Sequence, residues 1–171
     1  RVGEEVDALV QAGIPFEVVP GVTSSIAAPA YAGIPLTYRD VSASVTIVTG
    51  AESPDKVSGR IVWEDLARCG GTIVVLMGLG ALSRITKTLY DEGFPKDTPV
   101  AVVQWGSRPY QRTVVGTISD IGDLARKAGL TPPAVIVIGN VVRFRDKFRW
   151  FDNKPLFGKR ILVTRTSGQA G

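Results

Sequence analysis

The 171-residue chain contains no histidine and a single cysteine, Cys69. Without histidine there is no Ser-His-Asp or Cys-His catalytic set and no His/Cys zinc cluster, and one thiol leaves no disulfide framework. No apolar run reaches the roughly 18 residues that a membrane-spanning helix needs. Nothing reads as a secretory leader, which together with the lone thiol points to the cytoplasm. Charge of either sign is modest, 20 basic against 16 acidic residues, and the excess of +4 sits at one end. Residues 143–171 hold eight basic and two acidic side chains, so residues 1–142 are net acidic at −2. Neither a nucleic-acid surface on the body nor a membrane partner is expected.

What the chain does have is apolar sequence cut by turns: 44% hydrophobic residues with Gly 19 and Pro 11. This is the composition of one globular domain with attached pieces. A helical pattern opens the chain (Val2, Val6, Leu9 and Val10 on one side) and ends at Gly13-Ile14-Pro15. Phe16–Val19 reads as a short strand. Thr23, Ser24 and Ser25 are candidate caps for a second helix running to about Ala32, with Pro29 a possible kink. Strands are expected at Val45–Thr49, Thr72–Met77, Pro99–Gln104, Arg112–Ile118 and Ala134–Val142, with helices at about Ile61–Arg68, Leu82–Glu92 and Ile121–Ala128. Apolar runs without alternation imply strands covered on both faces, hence an α/β fold with a mixed, mostly parallel sheet flanked by helices. The connection Trp105–Gln111 is too short for a crossover, so residues 99–118 form an antiparallel hairpin. Phe151–Leu156 reads as a linker, and Gly158–Arg165 as the first strand of something further.

Chemistry-bearing residues gather at strand ends: Pro20–Ser24, Met77–Gly80, Gln104–Ser107 and Thr131–Ala134. Glycine there admits a ligand close to the backbone, and Thr or Ser at a helix start offers hydroxyl and N–H groups. The same residues also suit plain turns. Gly78-Leu79-Gly80-Ala81-Leu82-Ser83 misses the dinucleotide pattern, because Ser83 stands where Gly or Ala belongs and no acid ends a second strand. The pairs Glu64/Asp65 and Asp91/Glu92 read as solvated surface, Cys69 as inert, and the alternation from Arg143 to Trp150 as a sheet edge. A cleft of backbone and small groups, with no evident acid, base, nucleophile or metal, suits methyl transfer from a sulfonium. Its leaving group is already activated, and the protein binds and aligns.

Several segments, in order, resemble the tetrapyrrole (porphyrin/corrin) methylase family. They are Arg1–Glu5, Val18-Val19-Pro20-Gly21-Val22-Thr23-Ser24-Ser25, Ala32-Gly33-Ile34-Pro35-Leu36-Thr37, Val45–Gly50, Val75–Gly78, Val103–Gly106 and Gln111-Arg112-Thr113. The likeness spans about residues 1–145 and is nearest to the members that methylate uroporphyrinogen-III. Gly158–Arg165 resembles the opening of uroporphyrinogen-III synthases.

The resemblance implies S-adenosyl-L-methionine as cofactor, uroporphyrinogen-III as the tetrapyrrole substrate, precorrin-2 as product on the cobalamin/sirohaem route, and a homodimer. Thr23 and Ser24 would contact the cofactor near its methionine or ribose part. Met77 would pack on the adenosine, Gly106 would give a close backbone contact, and Pro133 and Ala134 would complete the adenine side. Arg39 is a candidate for the substrate's carboxylates, or else a surface arginine. No metal is implied. The family's Asp-bearing glycine-rich loop and proton-handling residues belong to a first subdomain not matched here, so no catalytic residue is expected in this stretch, and alone it should be inactive. The implied division is 1–20 for the end of the first subdomain, 21–150 for the second, and 151–171 for a linker and the first synthase-like strand. Gly50-Ala51-Glu52 departs from the family's Gly-His, so no substrate contact is carried over there. A later precorrin methylase, or an assembly module whose glycines are mere turns, are the alternatives.

Overall fold

The computed structural model describes residues 2–50, 63–162 and 164. The expected residues Ala51, Glu52, Ile61 and Val62, and Val163 and Arg165 of the synthase-like strand, lie outside them; the described residues of that stretch, 158–162 and 164, form no strand. Two helices come first, α1 (Gly3–Gln11) and α2 (Ser24–Tyr31). Phe16–Val19 is not a strand: it is unpaired and exposed, with Val19 at 86%. Then follow β1 (Val45–Thr49), α3 (Trp63–Cys69), β2 (Thr72–Leu76), α4 (Leu82–Asp91), β3 (Pro99–Gln104), β4 (Arg112–Thr117), α5 (Ile121–Lys127), β5 (Ala134–Ile138) and the short α6 (Arg145–Phe148).

The strands form one five-stranded sheet ordered β1-β2-β5-β3-β4. Only β1 and β2 pair in parallel; β2–β5, β5–β3 and β3–β4 are antiparallel. The expected β3–β4 hairpin is present, with Val100 opposite Gly116 and Gln104 opposite Arg112. The expectation of a mostly parallel sheet is corrected, and the hairpin is the reason. It reverses the chain, α5 then carries it back, and β5 must run with β4. Inserted between β2 and β3, β5 therefore opposes both neighbours. Burial on both faces had suggested parallel pairing, but a central strand between two helical layers is apolar whichever way it runs.

Helices do cover both faces. On one, α3, α4 and α5 pack Leu82, Ile85, Leu89, Ile121 and Ala125 against Ile73, Val75, Val100, Val102, Ile136 and Ile138. On the other, α2 packs Ala28 and Ala32, with Ile34 beyond it, against Val74, Ala101, Val103, Val135 and Val137. Small residues on α2 let it lie close to the sheet. The strand expected over Ala134–Val142 ends at Ile138, and a 3-10 turn over Asn140–Phe144 leads into α6. Of the stretch read as a linker, Phe151 and Asp152 are packed, beside Trp150, while 153–156 are exposed. Phe151 meets Tyr31 edge-on at 4.8 Å, and Trp150 Nε1 donates to the Ala30 carbonyl at 3.0 Å.

Candidate functional site

The strand directions bring the glycine-bearing tips to one edge of the sheet. Because β1, β2 and β3 point the same way, Gly50, Met77-Gly78 and Trp105-Gly106 all leave that edge, and β5 enters from it at Ala134. Short contacts lock the tips together. Gly50 N–H donates to the Leu76 carbonyl at 2.7 Å, and Trp105 N–H to the Pro133 carbonyl at 3.2 Å. A Cβ on Gly50 would lie 2.6 Å from the Gly78 Cα. Gln104, 4% exposed, donates through Nε2 to both the carbonyl and the hydroxyl of Thr131 at 2.8 Å. The loop before β5, with its cis Pro132–Pro133 bond, is thus fastened to β3.

Helix α2 packs against the same edge. Ala28 lies over Gly106, whose added Cβ would sit 2.5 Å from the alanine Cβ. Just after α2, Gly33 meets the backbone of Phe148. Thr23 caps α2, accepting from the Ser25 N–H at 3.4 Å with its Oγ1 also 3.0 Å from Ser25 Oγ. Ser24, one helical turn before Ala28, is exposed. The capping role expected of this Thr-Ser-Ser run is observed.

Two residues here have unusual backbones. Met77 (φ 53°) and Trp105 (φ 51°) adopt the left-handed conformation directly after β2 and β3. Non-glycine residues hold it at a cost of about 1–2 kcal/mol, and such strain clusters at ligand sites. Both side chains are exposed, Met77 at 52% and Trp105 at 39%. They stand on either side of the entry to β5, about two strand spacings or roughly 10 Å apart. Between them lie Pro133, which is exposed, and Ala134. The Thr49 hydroxyl at the end of β1 is buried and has no hydrogen-bond partner among the described residues. The edge is therefore one open wall, with two large apolar side chains, α2 packed beside it and the buried Thr49 hydroxyl.

Of the residues singled out from sequence, Met77, Gly106, Pro133 and Ala134 stand at this edge, Thr23 and Ser24 start the helix whose Ala28 packs on Gly106, and Arg39 lies elsewhere. Arg39 is exposed in the tight turn between Tyr38 and Ser42. Ser42 Oγ bonds Thr72 Oγ1 at 2.9 Å, at the opposite end of β2. The length of that strand, about 15 Å, separates the turn from the tips. Gly106 is explained by packing, since Ala28 fills the space its side chain would need. Two clefts, one between α4 and α5 and one along α2 beside Phe148 and Trp150, are lined by none of these residues. Asp91 pairs with Lys87, Asp65 with Arg68 at 4.0 Å, and Cys69 is exposed. Among the described residues no cluster of His, Cys, Asp or Glu fits a metal ion, and no helix is long and apolar enough to cross a membrane. Sequence reading gave no role to the buried amide of Gln111, and for Gln104 the available signal was a glutamine ending an otherwise apolar strand.

The model of the tetrapyrrole (corrin/porphyrin) methylases matches residues 1–122. The chain belongs to this family. Among curated methylases, it is 49% identical over 146 residues to the S-adenosyl-L-methionine-dependent uroporphyrinogen III methyltransferase of Methanosarcina barkeri, covering 85% of this chain and 57% of that protein. It is 45% identical over 172 residues to the porphyrin biosynthesis protein HemD of Ruminiclostridium josui, covering 100% of this chain and 34% of that protein. The chain thus spans between a third and somewhat over half of these relatives. Among solved methylases, the uroporphyrin-III C-methyltransferase of Thermus thermophilus complexed with S-adenyl homocysteine superposes with a TM-score of 0.68 at 35% identity, covering 82% of this chain and 60% of that one.

Because Met77 pays for its left-handed backbone without burying its side chain, Met77→Gly should leave stability within about 1 kcal/mol of the parent. If the exposed thioether is a ligand contact, the same change weakens binding at this edge. Urea unfolding alongside ligand titration separates the two effects.

Proposed function

We propose that this chain is the second, cofactor-cradling subdomain of a methyltransferase that uses S-adenosyl-L-methionine to methylate uroporphyrinogen-III twice, giving precorrin-2. The observation that carries the reading is the convergence of Met77, Trp105-Gly106 and Pro133-Ala134 on one sheet edge, with α2 packed on Gly106 through Ala28, in a chain of this family. Relatives named for uroporphyrinogen III methylation, and a neighbour solved with the demethylated cofactor, support it.

The residues fit such a cofactor. Met77 and Trp105 offer apolar surface for a flat base, and the strain they store is typical of a ligand wall. Thr23 and Ser24 offer hydroxyl and amide groups at a helix start, where the positive end of the peptide dipoles favours a carboxylate. When bound, S-adenosyl-L-methionine supplies a methyl on a positively charged sulfur, so the protein's work is to hold, orient and keep water out. This chain would contribute the orienting wall. The exposure of Met77 and Trp105 leaves room for a second wall, which we assign to a first subdomain preceding these residues. Proton handling after methylation is assigned there too.

The substrate's many carboxylates call for arginine and lysine in the complete cleft. Arg39, on the far edge, is not placed among those contacts. A fused uroporphyrinogen-III synthase in the parent rests on the resemblance of residues 158–165 alone, a stretch that the likeness to the R. josui protein also spans. We further assign the protein a cytoplasmic homodimer, as the resemblance implies. Calorimetric titration of the full-length protein with S-adenosylhomocysteine is expected to give saturable binding. A flat titration removes this reading.

A further inference from the structure

Gln111 is 4% exposed, and both ends of its amide are engaged. Its Oε1 accepts the Ser107 N–H at 2.9 Å, and its Nε2 donates to the Tyr31 carbonyl at 3.3 Å. These partners belong to different walls of the candidate site. Ser107 (φ 70°) ends the Trp105–Ser107 turn, where two of three residues hold left-handed backbones that neighbours must enforce. Tyr31 is the last residue of α2, the helix whose start carries Thr23 and Ser24. A single buried side chain therefore joins the β3 tip to the helix lying on it. The Tyr31 ring is held in turn by Phe151 at 4.8 Å and Trp150 at 5.2 Å.

We propose that Gln111 is a positioning residue for cofactor binding, setting how α2 sits against the Trp105–Ser107 turn. It rests on the cofactor reading above. Gln111 itself touches backbone only. Its effect passes through the two segments it bridges, and through Ala28 lying on Gly106 between them. A glutamine suits this role because one planar group both accepts and donates. Leucine fills the same volume and does neither, leaving the Ser107 N–H and the Tyr31 carbonyl without their partner. Glutamate keeps the acceptor for Ser107, but when ionised it turns an oxygen toward the Tyr31 carbonyl. When protonated it donates there and rebuilds the native pair. The charged and titratable side chains beside it in the chain, Arg108, Tyr110 and Arg112, are exposed, and Arg112 donates to the Ala128 carbonyl at 2.5 Å.

The test is S-adenosylhomocysteine titration of the full-length wild type, Gln111→Leu and Gln111→Glu at pH 8 and pH 5.5, with thermal unfolding of each. Wild type should bind alike at both pH values. Gln111→Leu should bind roughly tenfold more weakly at both. Gln111→Glu should be weakened to a similar degree at pH 8 and recover most of its affinity at pH 5.5. Wild-type affinity in the leucine variant overturns the assignment. So does a glutamate variant whose weakened binding follows its lost thermal stability and does not return at low pH, because the role is then structural only. No binding by wild type overturns the cofactor reading first, and this assignment with it.

Discussion

Removing Asp152 alone should destabilise the protein by about 3–5 kcal/mol, whereas removing Asp152 and Arg145 together should cost much less. Arg145 is an arginine in the interior of a small domain, 7% exposed. Its guanidinium donates to the Ala32 carbonyl at the end of α2 and pairs with Asp152 at 2.5 Å. Both side chains are 9% exposed, so the pair lies largely out of water. Arg149, half exposed, approaches the other carboxylate oxygen at 3.6 Å and cannot replace Arg145. Asp152→Ala leaves a buried cation with one carbonyl for company, which is the costly situation. Arg145→Leu with Asp152→Leu removes both desolvation penalties and puts apolar volume beside Tyr31, Phe151 and Phe157. Urea unfolding of Arg145→Leu, Asp152→Leu and the double should therefore show strong non-additivity, with the double nearer to wild type than Asp152→Leu. Equal losses in all three would mean that the pair contributes little and that the aromatic contacts hold the strap.

The same region shows where the sequence was legible and where it was not. β1 and β3 match their expected bounds, and β2 and β4 end one residue early, because β-branched runs closed by glycine or polar residues leave little choice. The hairpin followed from a connection too short to cross. Its consequence for the direction of β5 was equally available, but it depends on where β5 inserts in the sheet, and apolar content does not carry that. Ala134–Val142 read as one strand because Val141 and Val142 are as apolar as Val135–Ile138. In fact they are buried by a 3-10 turn against α2 after Gly139 (φ 137°) has broken the extended run. Arg143–Trp150 looked like a charged edge because a buried arginine is indistinguishable from a solvated one until its partner, seven residues on, is known to fold back. For the site, the glycines and hydroxyls at strand ends were visible as a set. The left-handed backbones of Met77 and Trp105, and the bridging amide of Gln111, arise from tertiary contacts and leave no local mark.

Gly33→Ala should be among the most damaging single-methyl changes in the chain, at roughly 3 kcal/mol or more. Two independent penalties meet there. The residue has φ +71°, where an alanine pays about 1–2 kcal/mol in backbone strain. Its Cβ would also lie 2.5 Å from the Phe148 carbonyl carbon and 2.6 Å from the Arg149 nitrogen. Those are backbone atoms, so no rotamer change relieves the contact. The end of α6 would have to retreat from α2, carrying Trp150 away from the Ala30 carbonyl and loosening the Arg145–Asp152 pair beside it. Gly13→Ala supplies the control: Gly13 also has a left-handed backbone (φ +65°) but nothing lies within 4 Å of its would-be Cβ. That variant should lose only the strain, about 1–2 kcal/mol. The difference between the two, read from urea midpoints, measures how closely the C-terminal strap presses on the helix that carries the candidate site. If Gly33→Ala proves no worse than Gly13→Ala, the strap yields easily and α2 is held by the sheet alone.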